Sequence, residues 1–225
     1  MTVSLLGQPN RKRAATSRRD PLPCGYVLAG GASSRFGQDK ALIELGGRPA
    51  LVRTLEVLAR TTVRRTLVIG EKVRYAKFGA HCVRDKWPGE GPLGGIITAL
   101  LRSVPDKYGY YWNLIVSCDM PFLTAEWLNF LCERARKSEA QVVLAQSANG
   151  PEPLCACWRT DAVGTLKTAF ERGVRKVTDG IALLRAEVLD ERDWKRFDSS
   201  GRLFWNMNTA ADYAEAAKML EAEQK

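Results

Sequence analysis

The 225-residue chain has the composition of an ordinary globular protein, with 45% hydrophobic and 26% charged residues. A chain of this length suits one large α/β domain and is long enough to bury a core. No apolar run reaches the length of about 18 residues that a membrane-spanning helix needs, so no membrane partner is expected. The net charge of +9, from 34 Lys and Arg against 25 Asp and Glu, favours an anionic ligand.

Nearly half of the net positive charge lies in the first twenty residues, which contain five basic residues and one acidic residue. This stretch lacks the apolar core of a secretory signal. Its composition predicts a disordered basic leader over 1–21, followed by a single folded domain over 22–225. A nucleic-acid-binding arm is the weaker alternative, and nucleic acid is not expected as a partner. The basic residues are Arg11, Lys12, Arg13, Arg18 and Arg19.

Taken in chain order, apolar strand-like runs alternate with segments of helical periodicity. This pattern is typical of parallel strands joined by crossover helices. It predicts an α/β, Rossmann-like fold of three layers with a mostly parallel central sheet. Strands are predicted over 26–28, 66–69, 82–84, 112–117, 141–145, 154–158 and 204–207. Helices are predicted after Pro49 and Thr124 and over 96–101, 162–171, 177–184 and 210–223, the last capped by Thr209.

The six cysteines include no CxxC pair and no histidines at zinc spacing, so no zinc cluster is expected. Cys155 and Cys157 alternate on a predicted strand, point to one face and cannot easily form a disulfide with each other. Reduced, buried thiols in a cytoplasmic protein are the expectation. His81, the only histidine, is interpreted as structural because no matching serine or cysteine dyad is evident.

The loop after the first strand has the residues of a phosphate-binding loop. Gly30 and Gly31 allow a sharp turn and bring backbone N–H groups close to an anion, because no Cβ intervenes. Arg35 can fork onto phosphate oxygens, and Lys40 adds a compact charge. The loop is neither a Walker loop nor a dinucleotide fingerprint. The remaining alternative, an ordinary glycine turn, is disfavoured by the two cations.

Polar residues follow several predicted strands at the carboxyl ends, where open α/β sheets bind ligands. Asp119 ends an apolar strand and suits Mg²⁺, which prefers one or two carboxylates plus phosphate oxygens and water. The alternative is a turn or capping aspartate, although Thr124 already offers the cap. Asp85, before a Pro-Gly loop, is equally explained by turn chemistry. Asn206 and Asn208 are predicted to face the same side, or to serve a turn.

Four motifs occur in order: Leu28-Ala29-Gly30-Gly31-x-Ser33-Ser34-Arg35-x-Gly37-x-Asp39-Lys40, Gly91-Pro92-Leu93-Gly94-Gly95, Cys118-Asp119-Met120-Pro121 and Asn206-x-Asn208-Thr209. Together they resemble the molybdenum cofactor guanylyltransferases, within the molybdopterin nucleotidyltransferase superfamily. The resemblance covers residues 25 to about 215, and the combination is specific although each motif alone is loose. Related cytidylyltransferases tend to have Ala-Ala-Gly and Pro-Lys in the first motif, so guanine is favoured over cytosine.

The resemblance implies transfer of GMP from GTP to the terminal phosphate of molybdopterin, with or without molybdenum, giving the guanine dinucleotide cofactor and pyrophosphate. It implies that Arg35 and Lys40 are catalytic cations, that Asp119 is catalytic and holds Mg²⁺, and that transient contacts form with cofactor-biosynthesis proteins or molybdoenzymes. No general base is required, because the attacking phosphate is already anionic. Nucleotide or pterin contacts are implied for Leu28, Ala29, Gly30, Gly31, Asp85, Gly94, Gly95, Asn206 and Asn208.

The chain departs from the family at one strand end. Family members often have an asparagine where this chain has Gly70, so a nucleotide contact there does not carry over. Residues 174–202 match weakly, and Leu154 lies in a segment that resembles the acceptor side. Two alternatives stay open: a related nucleotidyltransferase that uses CTP or another phosphorylated acceptor, and a non-catalytic nucleotide-binding protein.

Overall fold

The computed structural model describes residues 22–29, 39–61, 66–70, 72–78, 81–103 and 111–222, so the predicted leader lies outside it. Helices and strands alternate along these residues, as the sequence predicts. The elements are β1 (Cys24–Leu28), β2 (Glu44–Leu45), β3 (Arg48–Pro49), α1 (Ala50–Ala59), β4 (Thr66–Ile69), α2 (Lys72–Tyr75), β5 (Cys82–Val83), α3 (Pro92–Arg102), β6 (Trp112–Ser117), α4 (Ala125–Arg136), β7 (Val142–Ser147), β8 (Gly150–Arg159), α5 (Ala162–Glu171), α6 (Val177–Ile181), β9 (Ala186–Leu189), α7 (Glu191–Trp194) and α8 (Ala210–Ala222). Short 3₁₀ helices occupy Lys40–Leu42, Ala76–Phe78 and Lys195–Phe197.

Seven of the described strands form one sheet in the order β5-β4-β1-β6-β8-β7-β9. Strand β8 runs antiparallel to both of its neighbours, and the other pairings are parallel. The predicted α/β fold with a mostly parallel central sheet is therefore confirmed. Strands β2 and β3, of two residues each, form a separate antiparallel hairpin that is absent from the predicted elements.

The central strands β1 and β6 are buried along their whole length, because helices cover both faces of the sheet. Alternate side chains serve opposite layers. Val27 packs in the layer of α1 and α4, whereas Tyr26 packs in the layer of α3 and α5. A smaller apolar cluster, which includes Leu45 and Met207, lies between the hairpin and α8. The sheet is thus the middle of three layers.

The C-terminal part differs from the prediction. Residues 204–207 form no strand, because Phe204 packs its ring against Trp127 at 5.7 Å and Trp194 at 5.1 Å, and Met207 fills the smaller cluster. Their apolar character serves packing rather than strand pairing. The last strand of the sheet is instead the edge strand β9, which has a mostly exposed pattern that gave no apolar signal.

The helix that follows β5 begins earlier than predicted. Helix α3 starts at Pro92 rather than Ile96, so Gly94 and Gly95 lie in its first turns and not in a loop. The start is set by Gly91, which has a φ of 91°, and by a proline in the first turn, where no N–H is needed. Helix α6 ends at Ile181, three residues before the predicted end.

The other helix caps agree with the sequence. Thr124 accepts a hydrogen bond from the backbone N–H of Trp127, and Thr209 accepts one from the N–H of Asp212. The six cysteines, all within the described residues, form no disulfide, and five of them are buried. Among the described residues, every helix is too short or too polar to cross a membrane.

Candidate active site

The loop that follows β1 and contains Gly30 and Gly31 is called the Gly30 loop. Its start and Asp119 lie at the same edge of the sheet. Strands β1 and β6 are parallel, and Leu28 is paired with Ser117, so the two strands end at the same level of the sheet. The N–H of Cys118 donates to the carbonyl of Leu28 at 3.4 Å, which extends this pairing by one residue. Because Thr124 caps α4, Asp119 is not needed as a helix cap.

Lys40 reaches this edge from the far end of the loop. Its ammonium donates to the carbonyls of Met207 at 3.4 Å and Asn208 at 3.3 Å. The N–H of Met207 in turn donates to the carbonyl of Asp119 at 3.0 Å. The structure therefore brings together three predicted site residues, Lys40, Asp119 and Asn208, that lie far apart in the sequence.

The burial of the Asp119 carboxyl is only partly compensated by hydrogen bonds. Its Oδ1 atom is buried and has no hydrogen-bond partner among the described residues, and the same is true of Asn206 Oδ1. Burial raises the pKa of the Asp119 carboxyl, whereas a hydrogen bond from Ser117 and the charge of Lys40 act in the opposite direction. A buried oxygen that lacks a partner is costly, so each of these oxygens is suited to a further ligand such as a hard cation.

Asp39 was part of a motif but was not predicted to have a role of its own. Its Oδ1 accepts from the N–H of Ala41 at 3.0 Å and so caps the 3₁₀ helix that begins with Lys40. Its Oδ2 accepts from Tyr75 Oη at 2.8 Å and Arg74 Nη1 at 3.0 Å. The Asp–Lys dipeptide was visible in the sequence, but its partners on α2 had no sequence signal.

Gly70 has a steric reason to be a glycine. A Cβ atom on Gly70 would lie 2.1 Å from the carbonyl oxygen of Ala29 and 2.7 Å from Cε2 of Tyr75. Neither distance is tolerable, and the backbone oxygen cannot rotate away. The end of β4 is therefore packed directly against the start of the Gly30 loop, and an asparagine could not occupy this position without a shift.

Asp85 is held in a turn, as the alternative interpretation allowed. Its Oδ1 accepts from the N–H of Trp87 at 3.0 Å and from the Thr98 hydroxyl at 2.9 Å. These bonds tie the loop after β5 to α3. Oδ2 takes no part in them, so turn chemistry and a nucleotide contact are compatible at this residue.

Gly94 and Gly95 are buried against protein atoms. A Cβ atom on Gly94 would lie 3.1 Å from Cβ of Trp87, and one on Gly95 would lie 3.2 Å from Cδ2 of Leu28. Gly95 therefore lets α3 approach the end of β1 closely, and Gly94 lets it approach the loop that carries Trp87. The predicted contact of both glycines with the nucleotide stays a prediction.

Glu152 is a further carboxylate of interest, which no sequence motif indicated. The antiparallel register of β6 and β8 ends with the pairing of Val116 and Cys155, three residues before Asp119 and three residues after Glu152. Glu152 Oε1 accepts from the Ser147 hydroxyl at 2.6 Å. Burial, and to a lesser degree the charge of Asp119, raise the pKa of the Glu152 carboxyl, whereas the Ser147 bond lowers it. Leu154, on the same strand, is half-buried.

Three predicted site residues, Gly30, Gly31 and Arg35, lie outside the described part of the chain. The described ends of their loop are Ala29 and Asp39. Ala29 donates its N–H to the carbonyl of Ile69 at 2.9 Å. Both ends of the loop are thus anchored at the carboxyl edge of the sheet.

Comparison with known proteins gives consistent matches. The model of the MobA-like NTP transferase domain family matches residues 25–187. A probable molybdenum cofactor guanylyltransferase from Deinococcus radiodurans is 33% identical over 189 residues, which cover 84% of this chain and 91% of that protein. A probable molybdenum cofactor guanylyltransferase from Pelotomaculum thermopropionicum is 29% identical over 197 residues, which cover 88% of this chain and 93% of that protein.

Solved structures share the fold. Molybdopterin-guanine dinucleotide biosynthesis protein A from Archaeoglobus fulgidus has a TM-score of 0.75 at 24% identity, covering 90% of this chain and 100% of that chain. A nucleotidyl transferase from Methanothermobacter thermautotroptrophicus has a TM-score of 0.67 at 14% identity, covering 90% of this chain and 99% of that chain. The three-layer arrangement is therefore the one found in nucleotidyltransferases.

Proposed function

Because this chain belongs to the MobA-like NTP transferase domain family and is therefore a nucleotidyltransferase, we propose that it transfers GMP from GTP to molybdopterin or molybdenum-molybdopterin. The terminal phosphate of the acceptor receives the GMP, and pyrophosphate is released. The observation that carries this proposal is the convergence of Lys40, Asp119 and Asn208 around the backbone of Met207. The names of the curated relatives support guanine and the molybdenum cofactor.

In the proposed reaction, an oxygen of the acceptor phosphate forms a bond to the α-phosphorus of GTP, and the bond from that phosphorus to the bridging oxygen breaks. The electron pair leaves with pyrophosphate. The protein needs to position the two groups and to stabilise negative charge, because such transfers require little covalent chemistry from side chains. Lys40 is suited to this role, since two neutral carbonyls hold its ammonium at the edge of the sheet.

A divalent cation, Mg²⁺, fits the oxygens at this edge. Asp119 would hold it, with an amide oxygen of Asn206 or Asn208 nearby, because the buried Oδ1 atoms of Asp119 and Asn206 have no other partner. No group of three or more metal-binding His, Cys, Asp or Glu side chains occurs in the described residues. Phosphate oxygens and water would therefore complete the coordination. When bound, Mg²⁺ neutralises phosphate charge.

The remaining roles follow the family resemblance. Backbone groups of Leu28, Ala29, Gly30 and Gly31 would hold the nucleotide, and Arg35 would share the phosphate charge with Lys40. Further contacts with the nucleotide or the pterin are proposed for Asp85, Gly94, Gly95, Asn206 and Asn208. A transient contact with a molybdoenzyme or with another cofactor-biosynthesis protein would deliver the product.

The test is a reconstitution with purified protein, GTP, MgCl₂ and molybdopterin. We expect equimolar pyrophosphate and guanine dinucleotide product, measured by a coupled assay and by mass spectrometry, and no product after chelation with EDTA. An Asp119→Asn variant is the matched control for contaminating activity. Faster turnover with CTP would contradict the choice of guanine. Failure with every nucleotide and a correctly loaded acceptor would instead indicate a non-catalytic binding protein.

A further inference from the structure

We propose that Tyr75 is a positioning residue that fixes Lys40 through Asp39. This inference deepens the proposed function and rests on it, since it concerns the cation that acts on the phosphates. Tyr75 lies on the short helix after β4, and its hydroxyl donates to Asp39 rather than to Lys40. Its influence on the site therefore depends on what its hydroxyl does to Asp39.

Asp39 controls the backbone from which Lys40 projects. Its carboxylate receives the N–H of Ala41 at 3.0 Å, and its carbonyl receives the N–H of Leu42 at 2.9 Å. Both bonds close the single 3₁₀ turn that begins with Lys40. A turn of three residues has little stability of its own, so its orientation depends on how firmly the Asp39 carboxylate is held.

Tyr75 is the buried anchor of that carboxylate. Its side chain is 1% exposed, and its hydroxyl donates to Asp39 Oδ2 at 2.8 Å. Burial and the nearby Asp39 carboxylate raise the pKa of Tyr75, so the phenol keeps its proton and stays a donor. A hydrogen bond to a charged acceptor away from water is stronger than one at the surface.

Arg74 shares the same carboxylate oxygen but is a weaker anchor. Its guanidinium lies 3.0 Å from Asp39 Oδ2, and its side chain is 49% exposed whereas that of Asp39 is 9% exposed. Solvent screens an exposed charge, and a long side chain loses entropy when it is fixed. The tyrosine therefore carries most of the restraint on Asp39.

The ring of Tyr75 is itself fixed by the end of β4. Gly70 lies so close to the ring and to the Ala29 carbonyl that it has no room for a Cβ atom. Gly70 and Tyr75 thus support the two described ends of the phosphate loop, Ala29 and Asp39. The end of β4 therefore serves as a support for the loop.

The test compares Tyr75→Phe with wild type in steady-state GMP transfer. The ring stays in place, so we expect a melting temperature within a few degrees, a kcat at least tenfold lower and a KM for GTP within threefold. This split is expected because a misplaced Lys40 loses contacts that strengthen as charge develops. Tyr111→Phe, at the opposite end of β6, is the matched control and should leave kcat unchanged.

A double-mutant cycle shows whether Tyr75 acts through Lys40. In a Lys40→Met background, Tyr75→Phe should cause no further loss, because the group that it positions is gone. An equal loss in both backgrounds, or an unchanged kcat in the single variant, would overturn the proposal. Asp39→Asn, which keeps an acceptor for Ala41 but weakens the bond from Tyr75, should reproduce part of the Tyr75→Phe loss.

An activity-independent readout separates this inference from the proposed function. Hydrogen exchange of the Ala41 amide, followed by NMR, should be at least tenfold faster in Tyr75→Phe than in wild type, with core amides of β6 unchanged. If the wild-type protein forms no product, the proposed function fails, but the Ala41 amide still reports whether Tyr75 anchors Asp39. Unchanged exchange at Ala41 would contradict the positioning role.

Discussion

Lys40 and Asp119 are connected through one residue, Met207. The Lys40 ammonium donates to the Met207 carbonyl at 3.4 Å, and the Met207 N–H donates to the Asp119 carbonyl at 3.0 Å. The cation and the carboxylate are thus held at one edge of the sheet by the same stretch of backbone. This stretch also contains Asn206 and Asn208, so a displacement of it would disturb four predicted site residues together.

Replacement of Lys40 by methionine should lower the rate of GMP transfer by about 10²–10³-fold, the usual cost of removing one group that stabilises developing charge. The methylene stem remains, so the protein should stay folded. Initial rates of pyrophosphate release at saturating GTP measure the effect. Lys218→Met, an exposed position on α8, is the matched control. Equal rates in the two variants would contradict the assigned role of Lys40.

Asp119→Asn should abolish transfer and yet stabilise the metal-free protein at pH 8. Burial raises the pKa of Asp119 in the folded state, so the ionised carboxyl costs stability at high pH. The cost disappears as the pH falls through that raised pKa, because the folded protein then takes up the proton. The stability advantage of the asparagine variant should accordingly shrink between pH 8 and pH 4.

Thermal melts without metal at both pH values measure this advantage. MgCl₂ should then raise the melting temperature of wild type at pH 8 and leave that of Asp119→Asn unchanged, because a ligand stabilises only the protein that binds it. An equal shift of both proteins by MgCl₂ would show that Asp119 is not a ligand of the cation.

The sequence predicted those parts of the site that depend on local pattern. Asp119 follows a strand whose apolar residues are contiguous, and parallel strand ends must meet at one edge, so its location could be derived. The pairs that complete the site are distant in sequence. Lys40 and Met207 are 167 positions apart, and Asp39 and Tyr75 are 36 apart. No periodicity or motif reports such pairs.

The errors in the fold have a related cause. Phe204 and Met207 are apolar because they fill space beneath other elements, and an apolar run does not distinguish such packing from a strand. Conversely, β9 is an edge strand with exposed Ala186 and Val188, so it lacked the apolar signal that marked the central strands.

Gly70→Ala should destabilise the protein strongly, although it adds only one methyl group. Overpacking a filled site costs about 1–3 kcal/mol, and the contact with the Ala29 carbonyl puts this substitution at the upper end. Gly164→Ala is the matched control, because among the described residues nothing beyond the backbone of its own helix and its chain neighbours lies within 4 Å of the added Cβ on α5. That change should stabilise the helix by about 0.5–1 kcal/mol. Urea unfolding of both variants measures the difference, and similar values would be inconsistent with the close approach.

Asp85→Asn should raise the KM for GTP about tenfold while the melting temperature changes little. The asparagine side chain keeps an oxygen for the bonds from Trp87 and Thr98, which use Oδ1 only. The substitution removes the negative charge that a hydrogen-bond donor of the nucleotide would meet. Thr98→Val, which breaks the turn instead, should lower the melting temperature. An unchanged KM in Asp85→Asn would leave this aspartate with its turn role alone.

Asp119→Asn should lower the pKa of the Glu152 carboxyl without returning it to the ordinary value. The charge of Asp119 is one of two influences that raise this pKa, and the larger one, burial, remains in the variant. Titration of the carboxyl carbon by ¹³C NMR measures the change. Glu133, which has its pKa lowered by Lys137 on the surface of α4, is the internal control and should titrate identically in both proteins. An unchanged Glu152 titration would show that the two carboxylates do not interact at this edge of the sheet.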